Sequence, residues 1–544
     1  MNPSDRSDGL DSRVDVFDTT LRDGTQREGL SLSCEDKVRI AQRLDALGVA
    51  FVEGGWPGSN PKDAEFFRRA HDLEWKRAAI VAFGATRRAE SNVADDPSVR
   101  ALLDARTDVC AVFGKSSVLH VTEVLRTTRD ENLRMIEETV AFLCKNGRRV
   151  IYDGEHFFDG WIEDASYALE TLRAAARGGA ETLVLCDTNG GILPWQIGEV
   201  VALVRRAIAT PLGIHAHDDI GCAVANTLAA VRAGARHVQG TINGYGERCG
   251  NTNLCAVIPT LELKLALRCL PNGKLREIRE ASHLVAEIAN VAADEHAPYV
   301  GRSAFAHKGG VHVAAMRRCK TSYQHIDPAL VGNECRVVVS ELSGRGNVLS
   351  KAEELGLAVE SGAEVGVLDR IKAGEARGFS FEAAEASVAL MLRRSAPDYQ
   401  PPFRLLEYKV MVGRRERADD MDTFAEATIK IAVGDQILHT AAEGNGPVSA
   451  LDAALRKALC PAFPALERTH LADYKVRILD GADGTAATTR VLVDHVDGAR
   501  RWSTVGASPN IIEASWHALA DGIEYGLFLE TEKTDEGSHR IASG

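Results

Sequence analysis

Residues 15–29 read DVFDTTLRDGTQREG, and this stretch decides how the rest of the chain is interpreted. It begins with a short run of β-branched and aromatic residues. Arg22 and Asp23 follow, directly before Gly24. Barrel enzymes build their active sites at the carboxyl ends of their strands. The stretch therefore predicts the end of a first barrel strand and the beginning of an active site.

The first half of the chain repeats this strand pattern. Short runs rich in β-branched residues occur at residues 14–18, 49–53, 78–83, 108–113, 149–152, 182–186, 212–215 and 236–241. Most of the segments between them have apolar residues at helical spacing, as in 37–47, 132–143 and 223–231. The alternation predicts an α/β fold, a closed (β/α)8 TIM barrel. The alternative is an open doubly wound sheet, but the glycine-rich fingerprint that usually follows its first strand is absent.

Length and composition limit the class of protein. A chain of 544 residues predicts two or three domains. No apolar run approaches the ~18 residues of a membrane helix, so we expect no membrane segment. The net charge of −13 argues against nucleic acid as a partner, because phosphate binding needs clustered cations. The amino terminus, MNPSDRSDGLDSR, lacks an export signal, which predicts a cytoplasmic protein.

The chain contains 11 cysteines and no CxxC pair. In a chain without an export signal, this pattern predicts reduced thiols rather than disulfides. We expect ten of them to be small buried residues. Cys249 lies among candidate site residues, and both a structural and a functional role remain open for it.

Polar side chains follow nearly every predicted strand. They are Arg22, Asp23, Glu53, Thr86, Lys115, Glu155, Asp187, Thr188, His215, His217, Asn243, Glu247 and Asn251. Any one of them is compatible with a solvated surface position. Because the carboxyl ends of barrel strands form one rim, their recurrence predicts a single active site.

The sharpest local signal is GIHAHDD at residues 213–219. Residues two apart on a strand point to the same side, so His215 and His217 can present both imidazoles to one point. Together with Asp23 they form a ligand set that leaves positions open for water and a chelating substrate. Nitrogen and oxygen ligands are compatible with Mg²⁺, Mn²⁺ or Zn²⁺. The alternative is that the histidines are ordinary core residues.

Three motifs together resemble a known family. DTTLRDG at the first strand, HxHDD at the seventh and NGYGERCGN at residues 243–251 are similar to the acyl-CoA-dependent Claisen condensing enzymes. These are the isopropylmalate, homocitrate and citramalate synthases, which share a barrel with 3-hydroxy-3-methylglutaryl-CoA lyase. The stretches EGGWPGSNPKD (53–63) and YDGEHFFDG (152–160) most resemble the citramalate synthases.

The resemblance implies roles for particular residues. Asp23, His215 and His217 would bind a divalent metal, with Asn251 bound or close by. Arg22 would hold the 2-oxo acid and stabilise the developing alkoxide. Glu155 and Thr188 would line the oxo-acid pocket, or support it from behind.

The resemblance also implies the reaction: metal-dependent condensation of acetyl-CoA with pyruvate, then thioester hydrolysis, to give citramalate and CoA for isoleucine biosynthesis. The first alternative is the same chemistry on 2-oxoisovalerate or 2-oxoglutarate. The remote alternative is a non-catalytic amino-acid sensor that retains the barrel.

Between residues 271 and 400 helical spacing dominates, interrupted by GRSAFAHKGGVHVAA (301–315). This region resembles the subdomain that caps the barrel mouth in the family. The match implies that His312 acts as a base or activates water, with Tyr323 as its hydrogen-bonding partner.

The run DYQPPF at 398–403 predicts a domain boundary, because two prolines stiffen a linker and end helices. Beyond it, two similar halves beginning YKVMV and YKVRIL each predict three strands and a helix that starts near a proline. The resulting α+β domain, with its β-β-β-α repeat, resembles a regulatory domain that binds a branched-chain amino acid. Isoleucine is the expected effector, and a homodimer the expected assembly.

These features divide the sequence into five predicted segments. They are a polar tail (1–13), the catalytic barrel (14–270), a helical linker (271–400), the regulatory domain (403–530) and a second polar tail (531–544).

Overall fold

The computed structural model describes residues 12–357, 360, 362–417, 420–498 and 500–541. The described chain forms two compact units. The first runs to Phe305 and includes Ile326–Cys335, and the second contains Ala306–His325 and the residues from Arg336 onward.

The first unit contains a closed barrel of eight parallel strands, which confirms the predicted fold. The strands are β1 (Asp15–Asp18), β2 (Phe51–Gly55), β3 (Ala79–Ala85), β4 (Val109–Lys115), β5 (Arg149–Glu155), β6 (Thr182–Asp187), β7 (Leu212–Ala216) and β8 (His237–Gly240). Strand β1 pairs with β8, with Phe17 opposite Gln239. This closure brings the first motif next to the last strand.

Helices surround the barrel. They are α1 (Cys34–Leu47), α2 (Pro61–His71), α3 (Pro97–Asp104), α4 (Arg129–Lys145), α5 (Phe157–Gly178), α6 (Pro194–Ala207), α7 (Ala223–Ala233), α8 (Leu254–Leu265) and α9 (Ile278–Ile288). Helix α1 begins earlier than its apolar spacing indicates, because Ser33 and Asp36 form a reciprocal capping box at its amino end.

A compact apolar cluster fills the interior of the barrel. It consists of Phe17, Phe51, Val81, Phe83, Val109, Ala111, Ile151, Val184 and Cys186. Phe17 is fully buried at its base and contacts the rings of Phe51 and His237. The carboxyl ends of the strands are therefore supported by a packed core rather than by an open channel.

The second unit begins with short strands β9 (Ala306–His307) and β10 (Arg336–Val337) and helices α10 (Gly310–Arg318), α11 (Arg345–Glu354), α12 (Ala363–Ala376) and α13 (Glu385–Arg393). Two three-stranded antiparallel sheets follow. Their strands are β11 (Arg404–Arg417), β12 (Asp420–Val433) and β13 (Gln436–Gly444), then β14 (Thr469–Ile478), β15 (Thr489–Asp497) and β16 (Arg500–Ser508). Helix α14 (Pro447–Leu459) follows the first sheet and α15 (Ile511–Ile541) the second, which confirms the β-β-β-α repeat.

Three details differ from the sequence-based predictions. Strand β15 begins at Thr489, later than predicted, because Gly481–Ala486 forms a 3-10 turn. Helix α15 continues into the predicted polar tail as far as Ile541, since no proline interrupts it. Residues 542–544 and 1–11 of the predicted tails lie outside the described residues.

The prediction that ten cysteines are buried was wrong. Among the described residues no cysteine forms a disulfide, but only Cys110, Cys186, Cys255 and Cys269 are buried, while Cys249 is exposed.

Among the described residues, no helix combines the length and the apolar character that a membrane crossing requires.

The buried aromatic base of the barrel gives a stability prediction. Phe17→Ala should lower the free energy of unfolding by about 3–5 kcal/mol, because the fully buried ring leaves a cavity. Ile162→Ala is the matched control, since that side chain is 69% exposed and should change stability by less than about 0.5 kcal/mol. Denaturant titration of the full chain measures both. Equal effects of the two variants would contradict the assignment of Phe17 to the barrel core.

Candidate active site

A cavity of about 200 Å³ opens at the carboxyl ends of the barrel strands. Its lining includes seven of the residues predicted from the sequence, namely Arg22, Asp23, Glu155, Thr188, His215, His217 and Glu247. The other lining residues are Gln26, Trp56, Phe83, Phe113, Asp153, Cys186 and Arg248. The barrel therefore brings together side chains from Arg22 to Arg248.

Arg22 is enclosed by carboxylates. Its Nη1 contacts Asp23 Oδ1, its Nε donates to Glu53 Oε2 at 2.6 Å, and its guanidinium lies over the ring of Phe83 at 3.7 Å. Burial alone would lower the pKa of Arg22, but Asp23 and Glu53 outweigh burial and raise it. The guanidinium therefore stays charged, and its planar fork suits a carboxylate ligand.

The carboxylates around Arg22 exceed the positive charge that it supplies. Burial opposes ionisation of Asp23, but Arg22 outweighs it and holds the pKa of that carboxyl below its usual value. Burial raises the pKa of Glu53, and it raises the pKa of Asp153 to about 7. The raised pKa values favour the neutral forms of Glu53 and Asp153, and a cation bound nearby would favour their ionised forms.

The end of β7 orients His215 through a chain of hydrogen bonds. Gln239 Nε2 donates to Asp153 Oδ1 at 3.0 Å, so Gln239 Oε1 faces His215 Nδ1 at 2.8 Å. A carbonyl oxygen only accepts, which places the proton of His215 on Nδ1 and leaves the lone pair of Nε2 to act as an acceptor or as a ligand. Burial lowers the pKa of His215 and lowers that of His217 to about 3. Both imidazoles are therefore neutral, as metal ligands must be.

Three side chains converge on His215 Nε2. This atom lies 3.3 Å from His217 Nε2, 3.1 Å from Asn251 Nδ2 and 3.5 Å from Asp23 Oδ2. Two ligand atoms bound about 2.1 Å from one metal ion at about 90–110° lie about 3.0–3.4 Å apart. The spacing of the two imidazole nitrogens falls in that range, so these two nitrogens suit one divalent metal ion.

The same residues have unused polar atoms. Among the described residues, His217 Nδ1 and Asn251 Oδ1 are buried without a hydrogen-bond partner. Among the described residues, no group of three His, Cys, Asp or Glu side chains has the geometry to hold a metal ion as the side chains stand. Asp23 Oδ1 contacts Arg22 Nη1 instead. The amide of Asn251 would thus belong to the ligand set or lie beside it.

The loop after β8 is fixed to the end of β7 by its backbone. Asp218 N donates to Gly250 O at 2.9 Å, and Thr252 N donates to Ala216 O at 3.0 Å. Gly250 has a φ of +103°, and a Cβ there would overlap Gly244 O. A glycine is therefore required next to Asn251, which is held opposite His217.

Thr188 is held at the rim by the end of β5. His156 N donates to Thr188 Oγ1 at 2.8 Å, with His156 in the left-handed conformation at φ 56° and ψ 34°. The Thr188 hydroxyl proton is consequently free to donate to a ligand in the cavity. Glu155 also lines the cavity, and it contacts Lys115 Nζ.

His312 and Tyr323 belong to the second unit. Their rings stack, with centroids 4.1 Å apart and planes inclined by 23°. The contact seen is stacking rather than the hydrogen bond expected from the sequence. Both side chains are exposed, and their roles stay predictions.

Sequence reasoning missed Gln239, Asp153 and the aromatic residues Trp56, Phe83 and Phe113. A signal existed for Gln239, because alternation along β8 places it on the inner face together with His237, two residues away. A polar residue at an inward position of a barrel strand needs a partner. The identity of that partner, His215, depends on the pairing of β8 with β7 and could not be read from β8 alone.

The sequence matches three family models. They are HMGL-like over residues 13–285, homocitrate synthase post-HMGL domain-like over 299–378, and LeuA allosteric (dimerisation) domain over 382–527.

Relatives match nearly the whole chain. The (R)-citramalate synthase of Synechocystis sp. is 54% identical over 527 residues, which cover 95% of this chain and 96% of that protein. The (R)-citramalate synthase of Streptomyces coelicolor is 52% identical over 522 residues, covering 95% of this chain and 97% of that protein. The 2-isopropylmalate synthase of Methanocaldococcus jannaschii is 30% identical over 522 residues, covering 94% of this chain and 95% of that protein. At this identity over almost its full length, the chain belongs to the (R)-citramalate synthase family.

Proposed function

We propose that this enzyme condenses acetyl-CoA with pyruvate and hydrolyses the thioester, giving citramalate and CoA. The observation that carries the proposal is the convergence of Arg22, Asp23, His215 and His217 on one cavity. The names of the relatives at 52–54% identity support pyruvate as the acceptor. The 2-isopropylmalate synthase at 30% identity makes 2-oxoisovalerate the principal alternative.

Asp23, His215 and His217, with Asn251, would hold a divalent cation, either Mg²⁺, Mn²⁺ or Zn²⁺. Such a cation would act as a Lewis acid on the keto group of the acceptor. Gln239 keeps His215 in the tautomer that binding requires, since its Oε1 lies 2.8 Å from Nδ1.

Arg22 is the proposed ligand of the acceptor's carboxylate, and it stabilises the alkoxide that forms at the keto oxygen. The free hydroxyl proton of Thr188 is available to the same carboxylate. Glu155 and its partner Lys115 provide a paired charge at the rim. Together these groups would orient the keto carbon toward the incoming nucleophile.

The acetyl methyl group must lose a proton before it can attack. We propose that His312 is the base that removes this proton. The ring of Tyr323 stacks on its imidazole and would orient it. The methyl carbon then bonds to the keto carbon, and water cleaves the C–S bond to release the CoA thiol and a carboxylate.

The second unit supports regulation and assembly. The match of residues 382–527 to the LeuA allosteric (dimerisation) domain favours a homodimer with a small-molecule effector. Because citramalate formation precedes isoleucine synthesis in the proposed pathway, isoleucine is the proposed effector. The proposed domains are a barrel over 14–270, a linker over 271–400 and a regulatory domain over 403–530.

The first prediction concerns the reaction. With acetyl-CoA, pyruvate should give faster thiol release than 2-oxoisovalerate or 2-oxoglutarate, and a chelator should abolish release until a divalent metal is restored. Colorimetric detection of free CoA measures this. No thiol with any acceptor would refute the enzyme, and preference for 2-oxoisovalerate would refute pyruvate as the acceptor.

The second prediction concerns metal binding. Gln239→Leu should weaken Mn²⁺ binding about 10–100-fold, because His215 loses the acceptor that fixes its tautomer. Asp23→Asn should abolish activity and further weaken binding while the circular dichroism spectrum stays unchanged. Calorimetric titration with Mn²⁺ measures the affinity directly.

The control for this titration is Gln436→Leu, an exposed position in β13, which should bind Mn²⁺ like the wild type. Unchanged affinity in Gln239→Leu would contradict the tautomer assignment. An active Asp23→Asn variant would remove Asp23 as a ligand.

The third prediction concerns regulation. Millimolar isoleucine should lower the initial rate of thiol release, and leucine should have a smaller effect. If neither amino acid changes the rate, the carboxyl-terminal domain serves for dimerisation alone.

A further inference from the structure

Three aromatic rings form one side of the active-site cavity. Phe83 and Phe113 stack with centroids 5.2 Å apart and planes inclined by 16°. The indole of Trp56 meets both of them edge-on, at 5.7 and 5.5 Å. All three residues line the cavity. We call these three rings the aromatic wall.

The aromatic wall borders the position proposed for the acceptor. The guanidinium of Arg22 lies 3.7 Å from the centroid of the Phe83 ring. An acceptor whose carboxylate binds Arg22 therefore has its remaining carbon atoms close to the wall. On the side of Phe83, the space beside Arg22 is thus bounded by aromatic rings.

The aromatic wall also favours apolar substituents on the acceptor. Apolar rings accept a methyl group without leaving a polar group unpaired. A second carboxylate, as in 2-oxoglutarate, would lose its hydration against the rings without gaining a hydrogen bond. A branched alkyl group would overlap the packed rings, and overpacking of this kind is destabilising.

A buried ion pair between Lys37 and Asp63 holds the backbone of Trp56. Asp63 Oδ2 accepts from Trp56 N at 2.8 Å, and Asp63 Oδ1 contacts Lys37 Nζ. Lys37 Nζ also donates to Gly54 O at 3.2 Å. The side chains of Lys37 and Asp63 are only 3% and 8% exposed. The backbone at the end of β2 is thus tied on both sides of Gly55.

The local backbone allows this tie because of Gly55. Its φ is +141°, and a Cβ there would overlap the carboxylate of Asp63. The register between β2 and β3 shifts between Glu53 and Gly55, which turns the chain and directs Trp56 to the cavity. The contacts of Asp63 hold the backbone of Trp56, and they therefore fix the point from which the indole projects.

We infer that Trp56 is the residue that restricts the acceptor to a methyl ketone, and that Asp63 is its positioning residue. The inference rests on the proposed function, because it assumes that Arg22 binds the acceptor. Acceptor selectivity would thus depend on the ring of Trp56 and on the Lys37–Asp63 ion pair that holds its backbone.

The test compares acceptors in Trp56→Leu. The ratio of kcat/KM for 2-oxobutyrate to that for pyruvate should rise about 10–100-fold over the wild type, because the smaller side chain opens room for one more methylene group. 2-Oxoisovalerate should gain in the same direction. Thiol release measures all three acceptors.

The matched control is Trp75→Leu. Trp75 is a partly buried tryptophan outside the cavity lining, and its Nε1 donates to Ala70 O at 2.9 Å. The acceptor ratio should stay within twofold of the wild type in this variant. A similar ratio change in both variants would mean that general loosening of the barrel, not the wall, sets the selectivity.

Asp63→Asn tests the positioning role, since it keeps the shape of the side chain but removes the charge that pairs with Lys37. The acceptor ratio should move in the same direction as in Trp56→Leu, by a smaller factor. A lower thermal midpoint with an unchanged ratio would show that the pair stabilises the barrel and does not position Trp56.

Failure of the inference can be distinguished from failure of the proposed function. If the wild type releases no thiol from acetyl-CoA and pyruvate, the proposed function fails. If the wild type is active and Trp56→Leu lowers kcat/KM equally for all acceptors, only the inference fails. A raised KM for acetyl-CoA at an unchanged acceptor ratio would also overturn it, because Trp56 would then contact the donor.

Discussion

The guanidinium of Arg22 is buried between Asp23 and Glu53, and the rest of the active site is arranged around this charge cluster. Asp23 and Glu53 share this one cation, with Asp153 nearby, and burial raises the pKa of Glu53 and Asp153. A divalent cation bound at the site would favour the ionised forms of these carboxyl groups. A divalent cation beside Asp23 and the positively charged Arg22 would together match a chelating 2-oxo acid.

Barrel closure converts this local arrangement into a site. Because β8 pairs with β7, Gln239 of β8 lies beside His215, and its amide reaches Asp153 of β5 across the inside of the barrel. The tautomer of His215 is thus determined by a strand that carries no proposed metal ligand. The same closure brings Asn251 against the histidines. Changes at Gln239 are consequently expected to affect metal binding although its side chain lies behind the ligands.

The sequence predicted the barrel and half of the residues that line the cavity, because periodic strands and the rim rule depend only on local pattern. Arg22, Asp23, His215 and His217 were predicted to lie together because they follow strands directly. Gln239 and the aromatic wall were missed, since their partners come from other strands and become neighbours only when the strands pair. The extent of α15 was underestimated because a polar composition alone does not end a helix. The roles of His312 and Tyr323 were inferred from the family resemblance, and the structure contributes their stacking contact.

The central claim is that His215 and His217 together bind one metal ion. Electron spin echo measurements on Mn²⁺ bound to protein labelled with ¹⁵N only in histidine test it most directly. The account predicts nitrogen couplings from two imidazoles, with one of them lost in His217→Ala. Bound Mn²⁺ without any histidine nitrogen coupling would contradict the account.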